Sequence, residues 1–226
     1  MGARIEGKNI VREFKVAGER IVALNGINIE IQEGSFVILK GRSGSGKTTL
    51  INILGGLDEP TKGEVFIDEK EITALSETGR DDFRRKSVGF VFQSVALISA
   101  MTAFENVDFA LRIAGYPQKE RENRAKECLE AVGLSERIYH KPSELSGGEQ
   151  QRVAVARAIA HKPKIIFADE PTAELDAEKS FQIVELLKRV SKELKITVVM
   201  TTHDPNLLFA ADKVYTLEDG EIIDVR

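Results

Sequence analysis

The sequence has almost no cysteine, no tryptophan and no long apolar run. Its 226 residues contain a single cysteine, Cys128, which excludes an intramolecular disulfide framework and fits a reducing compartment. Cys128 stands at an apolar helical position, so we interpret it as a core residue rather than a nucleophile. No apolar stretch is long enough to cross a bilayer, and the chain begins without the apolar core of a signal peptide. We therefore expect any membrane role to require a partner.

An excess of positive charge is also missing. The chain has 32 lysines and arginines against 36 aspartates and glutamates, which gives a formal net charge of −4. Because no global positive field attracts a polyanion, we expect no nucleic-acid partner. With 42% hydrophobic residues and no low-complexity tract, the composition indicates a folded core rather than disorder.

The most informative stretch is the glycine-rich segment 41–49, Gly-Arg-Ser-Gly-Ser-Gly-Lys-Thr-Thr. Its spacing is that of a phosphate-binding loop. The glycines let successive backbone N–H groups turn toward an oxyanion, Lys47 can reach the β and γ phosphates, and the Thr48 hydroxyl can bind Mg²⁺. The apolar run 35–39 before the loop predicts a buried strand, and 49–54 after it predicts a helix. The alternative is an ordinary Gly/Ser turn before a helix.

Two further apolar strands end on polar side chains that suit phosphate chemistry. The predicted strand 88–93 ends on Gln93, whose amide can bind Mg²⁺ or hold a water. The strand 165–168 is followed by Asp169 and Glu170. Asp169 can hold Mg²⁺ through its water shell, and Glu170 can orient or deprotonate an attacking water. Against this stands the fact that acidic residues commonly begin loops.

Two single residues are ambiguous on the sequence alone. His203 leaves the end of the predicted strand 197–200, where open α/β sheets place ligands, so it could hydrogen-bond a γ-phosphate. A lone histidine is nevertheless usually structural or on the surface. Phe14 is either a strand residue that covers the edge of the core or a platform for an adenine ring, and its spacing favours the core.

A second glycine-rich stretch, Leu-Ser-Gly-Gly-Glu-Gln-Gln-Arg at 145–152, begins a predicted helix. Ser146 is expected to cap this helix, so that its hydroxyl and the Gly147 and Gly148 amides form a second anion site at the helix N-terminus. Two glycines after a cap weaken a helix unless the backbone must approach something closely. We therefore favour a binding role over an ordinary helix start.

The remaining periodicities place these motifs in a coarse fold. Alternation between residues 5 and 31 predicts β-strands, and three- and four-residue spacings between about 93 and 162 predict an inserted helical segment. Residues 213–223 predict a hairpin with an Asp-Gly turn. Asp176 precedes a helix whose predicted apolar face comprises Ile183, Val184, Leu187, Val190 and Leu194.

Taken in chain order, these segments resemble the motif set of the ABC-type ATPases over essentially the whole chain. The serine-glycine-glycine stretch between a phosphate loop and an aspartate-glutamate strand is diagnostic of that family. The resemblance implies the following assignments: residues 41–49 the Walker A loop, Gln93 the Q-loop, 145–152 the signature, Asp169 the Walker B aspartate, Glu170 the catalytic glutamate, Asp176 the D-loop aspartate, His203 the switch histidine and Phe14 the adenine-stacking aromatic.

The resemblance also implies a fold and a domain organisation. The fold is α/β: a P-loop NTPase core with a mainly parallel sheet flanked by helices, an N-terminal antiparallel β subdomain and an inserted α-helical subdomain. One ABC ATPase domain would cover 1–226. Its ATP-binding core with the β subdomain would occupy 1–92 and 163–226, and the helical subdomain with the signature would occupy 93–162.

The family works with ATP and Mg²⁺ and binds two ATP between two head-to-tail copies. The second copy and a transmembrane permease are therefore the implied partners, and the implied location is cytoplasmic, on the inner face of the cell membrane. The implied site residues are, for catalysis, Glu170, His203 and Gln93; for the nucleotide, Phe14, Gly41, Ser43, Gly44, Ser45, Gly46, Lys47, Thr48, Thr49, Gln93, Ser146, Gly147, Gly148, Glu149 and Asp176; and for the metal, Thr48, Gln93 and Asp169.

Residues 89–93 and 102–107 resemble the subfamily that powers lipoprotein release, macrolide and peptide export, and a cell-division complex. The chain departs from the usual family pattern at Glu149, where glutamine is commoner, and at Glu174, where a small or neutral residue is usual. Segment 94–101, which we expect to contact the transmembrane partner, follows the subfamily loosely.

These motifs favour an ATP-hydrolysing transporter subunit, and the resemblance implies one of the export or lipoprotein-release type. An ATP-gated interaction module, which acts on a membrane or cell-division partner without moving a substrate, is the alternative. A DNA-repair or translation factor of the same superfamily is disfavoured, because the chain has one phosphate loop, no long heptad insertion and a negative net charge.

Overall fold

A computed structural model of the chain describes residues 2, 4–16 and 18–226, with the side chain of residue 16 left out. No helix in this part of the chain is long and apolar enough to cross a membrane. Its strands and helices follow in the order β1 (Ile5–Val16), β2 (Glu19–Ile31), β3 (Phe36–Lys40), α1 (Lys47–Leu54), β4 (Lys62–Ile67), β5 (Lys70–Glu71), α2 (Glu77–Ser87), β6 (Val88–Val91), α3 (Ala103–Ile113), α4 (Gln118–Ala131), α5 (Gly147–Ile159), β7 (Ile165–Ala168), α6 (Ala177–Leu194), β8 (Thr197–Thr202), β9 (Lys213–Glu218) and β10 (Glu221–Val225).

Over the described residues, the strands form two sheets. The smaller sheet is antiparallel, with the order β2-β1-β4-β5. The larger sheet has the order β10-β9-β3-β8-β7-β6 and is parallel apart from the β9–β10 hairpin. The hairpin turns through Asp219 and Gly220, both at positive φ. The predicted combination of an antiparallel N-terminal sheet with a mainly parallel sheet is confirmed.

The central strands of the larger sheet are buried on both faces. In β3, Val37 and Leu39 pack on the side of α1, whereas Phe36 and Ile38 pack on the side of the helices α3 to α6. Because successive side chains of a strand point to opposite faces, a strand that is covered on both sides reads as a continuous apolar run. The apolar runs before the phosphate loop and before Asp169 have this origin.

Helix α1 lies between the two sheets. Its Leu50, Ile51, Ile53 and Leu54 are almost completely buried, and it contacts β1, β2 and β8. An eight-residue helix is too short to be stable alone in water, so this packing must hold it in place. The N-terminus of α1, where the phosphate loop ends, is thereby fixed relative to both sheets.

The helices pack as the spacing predicts, with one exception on α6, which lies outside the inserted helical segment. Cys128 is buried in the core, and burial raises the pKa of its thiol to about 11, so the thiol stays neutral at physiological pH. On α6, four of the five predicted apolar positions are buried, but Leu194 is exposed. Leu194 ends the helix, and Lys195 continues in the left-handed conformation, which turns the chain away from the core.

We predict that Gly89→Ala lowers the free energy of unfolding by about 1–3 kcal/mol, the usual cost of overpacking a core. Strand β6 crosses α5 so closely that a Cβ on Gly89 would lie 2.3 Å from the carbonyl oxygen of Ala158. Backbone atoms cannot move aside as a flexible side chain can. The measurement is urea unfolding. Gly79→Ala is the control, because its methyl group would meet its nearest neighbour at 3.3 Å, and equal midpoints for the two variants would contradict the prediction.

Candidate functional site

The predicted phosphate loop, 41–49, links the end of β3 to α1. Gly46 caps α1 with a φ of 100°, and a Cβ there would lie 2.6 Å from the carbonyl oxygen of Ala23. A Cβ on Gly41 would lie 2.4 Å from the carbonyl oxygen of Leu217. The backbones of β2 and β9 therefore leave room only for glycine. The first N–H groups of α1 have no partner inside the helix, so the loop presents donors suited to an anion.

The side chain of Lys47 is drawn into this loop and is 4% exposed. Its Nζ donates to the carbonyl oxygens of Gly41 at 3.0 Å and Arg42 at 2.9 Å. The same Nζ lies 3.3 Å from Oε1 of Glu170, in an ion pair that joins the loop to the end of β7. The ammonium group is therefore held at the centre of the loop by two carbonyls and one carboxylate.

The three predicted metal ligands lie around the first turn of α1. The Thr48 hydroxyl donates to Oδ1 of Asp169 at 3.1 Å, and Asp169 directly follows β7. Thr48 and Gln93 line one cavity of about 290 Å³, together with Glu170. Hydroxyl, carboxylate and amide oxygens are hard donors of the kind that Mg²⁺ prefers. Within the described part of the chain, no three His, Cys, Asp or Glu side chains form a metal cluster.

Glu170 bridges two of the other predicted site residues. Besides its ion pair with Lys47, its Oε2 lies 3.1 Å from Nδ1 of His203, which donates to the carboxylate when that nitrogen carries the proton. The backbone of Glu170 has a φ of 41°, in the left-handed region that non-glycine residues rarely adopt. Strain of this kind persists only where the surroundings hold it, and it concentrates at functional sites.

Sequence reasoning missed Thr201, which contacts both acidic residues. Its hydroxyl donates to Oδ1 of Asp169 at 2.7 Å and accepts the backbone N–H of Glu170 at 2.8 Å. The sequence offers only a weak signal for this contact, a hydroxyl that follows the apolar run Val198–Met200 of β8.

It also missed Arg157, at the C-terminal end of α5. The guanidinium of Arg157 donates to the carbonyl oxygens of Val95 and Ala96, which follow the Gln93 strand. Both residues have positive φ, 39° and 49°, which is unusual for side chains with a Cβ. Through these two hydrogen bonds, Arg157 connects the strained turn that follows Gln93 to helix α5, which begins in the signature stretch.

Phe14 stands on β1, beside the loop rather than in it. It pairs with Ile21 of β2, two residues before Ala23, whose carbonyl touches the phosphate loop. Phe14 is 36% exposed, and the Arg12 guanidinium lies over its ring with Cζ 4.7 Å from the ring centroid. The other residues of the loop, Ser43, Gly44, Ser45 and Thr49, line cavities next to Lys47.

The second glycine-rich stretch forms the N-terminus of α5, as predicted. Ser146 and Glu149 make a reciprocal capping box: the Ser146 hydroxyl accepts the Glu149 N–H at 3.3 Å, and the Glu149 carboxylate accepts the Ser146 N–H at 2.8 Å. The bond from the Ser146 backbone lowers the pKa of Glu149. Ser146 and Gly147 are exposed, so this helix end faces solvent.

Asp176 caps the next helix along the site face. Its carboxylate accepts the Lys179 N–H at 2.9 Å and binds the Lys179 ammonium, and that side-chain bond lowers the pKa of Asp176. The aliphatic part of Lys179 lies beside Gly148, where a Cβ would come within 3.3 Å of it. The start of α6 is therefore adjacent to the start of α5, and the neighbouring Glu174 is exposed.

The chain brings the predicted residues together in two separate groups. A second cavity at the loop, of about 850 Å³, is lined by 40–45, Glu170, His203, 216–219 and Ile223. Among the described residues, 146–149 and Asp176 line neither this cavity nor the smaller one. The phosphate loop and the acidic strand end thus form one group, and the starts of α5 and α6 form another.

Comparisons with known proteins agree with this geometry. The model of the family "ABC transporter" matches residues 24–173. An uncharacterised ABC transporter ATP-binding protein of Methanocaldococcus jannaschii, MJ1508, is 46% identical over 98% of this chain and 98% of its own length. The lipoprotein-releasing system ATP-binding protein LolD of Syntrophotalea carbinolica is 44% identical over 97% of both chains.

A solved structure has the same fold. It is the dimeric post-hydrolysis state of the ATP-binding cassette MJ0796 with ADP and phosphate, which superposes with a TM-score of 0.90 at 43% identity, over 98% of this chain and 97% of that one. These three findings agree: the family model covers most of the chain, the relatives are more than 40% identical, and the fold is shared. The chain belongs to the ABC transporter family, as an ATP-binding cassette that binds and hydrolyses ATP.

Proposed function

We propose that two copies of this chain close head to tail around two MgATP and drive a conformational change in a transmembrane partner of the lipoprotein-release or export type. In this proposal residues 1–92 and 163–226 form the ATP-binding core, and 93–162 form the helical subdomain. The partner holds the cassette at the cytoplasmic face of the membrane. The 44% identity to a lipoprotein-releasing ATP-binding protein supports this type of partner.

The observation that carries the proposal is the separation of the two anion-binding groups. Lys47 and the loop amides can hold the phosphates from one side, whereas Ser146 and Gly147 open to solvent at the start of another helix. A γ-phosphate bound in the loop lacks donors on its exposed side until a second copy supplies its own α5 N-terminus. Glu149 and Asp176 then contribute by capping the N-termini of α5 and α6. The dimeric assembly of the related cassette supports this arrangement.

The oxygen ligands around α1 suit Mg²⁺ in this proposal. Thr48, Gln93 and Asp169 are the residues that would hold it, directly or through water. When bound, the ion would neutralise charge that develops on the transferred phosphoryl group. The chain itself supplies Lys47 for the phosphate oxygens, Glu170 to orient and accept a proton from the attacking water, and His203 to hydrogen-bond the γ-phosphate or Glu170.

Nucleotide must compete with Glu170 for Lys47. The Lys47 ammonium pairs with the Glu170 carboxylate, whose Oε1 lies 3.3 Å from Nζ. A phosphate in the loop would take over that role, because it carries more charge and more acceptor oxygens. Glu170 is then free to act on water beside His203. In this proposal, ATP binding therefore releases Glu170 from Lys47.

We predict that Glu170→Gln lowers the ATP turnover number by about 10²–10⁴-fold, the usual contribution of a general base. The amide is close in size to the carboxylate but cannot accept the proton. ATP binding should persist, so light scattering should find a monomer that becomes a dimer on addition of Mg-free ATP. Glu193→Gln, an exposed change on α6, is the matched control. Normal turnover in Glu170→Gln would refute the role of Glu170, and a monomer at saturating ATP would refute closure without the partner.

The proposed adenine platform gives a separate prediction. Phe14→Ala should weaken ATP binding by about two- to tenfold, since an aromatic stacking pair contributes about 0.5–1.5 kcal/mol. Phe14→Tyr should bind ATP like the original chain. Tripolyphosphate, which has no base, should bind all three proteins equally in calorimetry. Phe66→Ala is the control, because Phe66 is also an aromatic residue under a cation on the smaller sheet. Equal losses for ATP and tripolyphosphate would assign Phe14 to the core instead.

The transmembrane partner has a docking site of suitable shape in this proposal. A cleft of about 830 Å³ is bounded by β6, α2 and the end of α3, and Ala96 and Arg157 line it. Its floor is aromatic, with Phe90 and Phe92 stacked, and its rim carries both signs of charge from Asp81, Asp82, Arg84 and Arg85. Such a lining suits a short amphipathic helix from a cytoplasmic loop of the permease.

We predict that Ile113→Glu reduces membrane association of the chain at least about tenfold. Ile113 is 54% exposed at the wall of the cleft, where a carboxylate would be left unpaired beneath a docked helix. The measurement is co-sedimentation with membranes that contain the partner, together with ATP affinity of the isolated chain, which should not change. Leu194→Glu is a matched control at an exposed leucine outside the cleft. Equal sedimentation of both variants would place the partner elsewhere.

A further inference from the structure

Thr201 lies at the carboxyl end of β8, between the strand that leads to the phosphate loop and the strand that leads to Asp169. In the register of the larger sheet, Leu39 of β3 pairs with Thr201, and Ala168 of β7 pairs with Met200. Thr201 therefore comes next to Asp169. Alternation along β8 places Val199 on the side of α1, and Thr201, two residues on, shares that side. The side chain is fully buried.

The Thr201 hydroxyl has one proton, and its two contacts determine where that proton points. Its oxygen accepts the backbone N–H of Glu170 at 2.8 Å, so its own proton is directed to Oδ1 of Asp169 at 2.7 Å. The same Oδ1 accepts the Thr48 hydroxyl at 3.1 Å. Two donors on one carboxylate oxygen fix the rotation of the Asp169 carboxyl group. Its orientation toward α1 is thus set from β8 as well as from the loop.

The second contact of Thr201 bears on the strained backbone of Glu170. A residue at a φ of 41° is held there only by its surroundings, and the N–H of Glu170 is one of the groups that must be satisfied in a buried turn. Thr201 satisfies it. The turn then closes with the Ala173 N–H on the Glu170 carbonyl oxygen at 3.1 Å. The direction of the Glu170 side chain toward Lys47 and His203 depends on this turn.

We infer that Thr201 is a positioning residue for ATP hydrolysis. Its hydroxyl makes two hydrogen bonds: one orients the metal-binding carboxylate of Asp169, and the other holds the backbone of Glu170. The inference rests on the proposed function for the roles of these two acidic residues. Thr201 touches no reacting atom and acts through both of them. Two groups that belong to different tasks, the metal site and the attacking water, are thereby set by a single hydroxyl.

The test compares Thr201→Val, which keeps the shape and removes the hydroxyl, with Thr201→Ser, which keeps the hydroxyl. Thr201→Val should raise the half-saturating Mg²⁺ concentration and lower kcat by about 10–100-fold, as the loss of a partner behind a metal ligand usually does. The KM for ATP should change less than threefold, because the phosphate loop is intact. Thr201→Ser should lie within a few fold of the original chain.

The matched control is Thr197→Val, at the opposite end of the same strand. Thr197 is also fully buried, and its hydroxyl accepts a backbone N–H, that of Gly34, at 2.9 Å. This variant makes the same chemical change outside the site. It should keep the Mg²⁺ dependence of the original chain even if its thermal midpoint falls. Equal losses of activity in Thr197→Val and Thr201→Val would reduce Thr201 to a structural residue and overturn the inference.

A second readout needs neither nucleotide nor metal. Hydrogen exchange at the Glu170 amide, followed by NMR in the ATP-free chain, should accelerate at least about fivefold in Thr201→Val, because that N–H loses its acceptor. It should not accelerate in Thr201→Ser or Thr197→Val. Unchanged exchange in Thr201→Val would overturn the inference. This measurement also separates the inference from the proposed function. If Glu170→Gln retained turnover, the proposed role of Glu170 would be refuted, but the contact between Thr201 and the Glu170 N–H would still be tested.

Discussion

The ammonium group of Lys47 is almost wholly removed from water, and the structure around the phosphate loop supplies the groups that compensate its charge. A buried charge must be compensated by polar groups or by an opposite charge, because its hydration is lost. Two loop carbonyls supply part of the compensation, which requires the tight, glycine-rich path of the loop. Glu170 supplies the opposite charge, which requires the end of β7 to lie beside α1. Both sheets must pack on α1 for these distances to hold.

The second glycine-rich group obeys a different and more local rule. Ser146 and Glu149 satisfy each other's backbone N–H groups, and Asp176 satisfies that of Lys179, so each helix start is stable within one chain. This gives a structural account of the glutamate at position 149, where the family more often has glutamine. Both residue types complete a capping box, and the carboxylate adds a charge that the helix dipole favours. A helix end can therefore be well ordered while it still faces solvent.

The local parts of this picture were accessible from the sequence. Strand and helix positions follow from the period of the apolar residues, and the phosphate loop follows from the spacing of its glycines, because both depend on neighbours in the chain. The contacts of Thr201 were not accessible, since they join residues more than thirty positions apart through the register of parallel strands. The Lys47–Glu170 pair and the Arg157 contacts were missed because they also join residues far apart in the chain, through the packing of helices on the sheet. Leu194 was misplaced because periodicity does not indicate where a helix ends.

The Arg157 guanidinium has one further consequence, which concerns the transmission of force between sites. It donates to the carbonyls of Val95 and Ala96, a few residues from Gln93, which lines the smaller cavity at the phosphate loop. Ala96 and Arg157 also line the cleft in which we propose that the partner docks. A docked helix that displaces this turn would displace Gln93 with it. Thermodynamic linkage makes such a connection symmetrical: whatever nucleotide does to the affinity for the permease, the permease does to the affinity for nucleotide, by the same factor. A change in this turn at either the cleft or the cavity would therefore alter binding at the other.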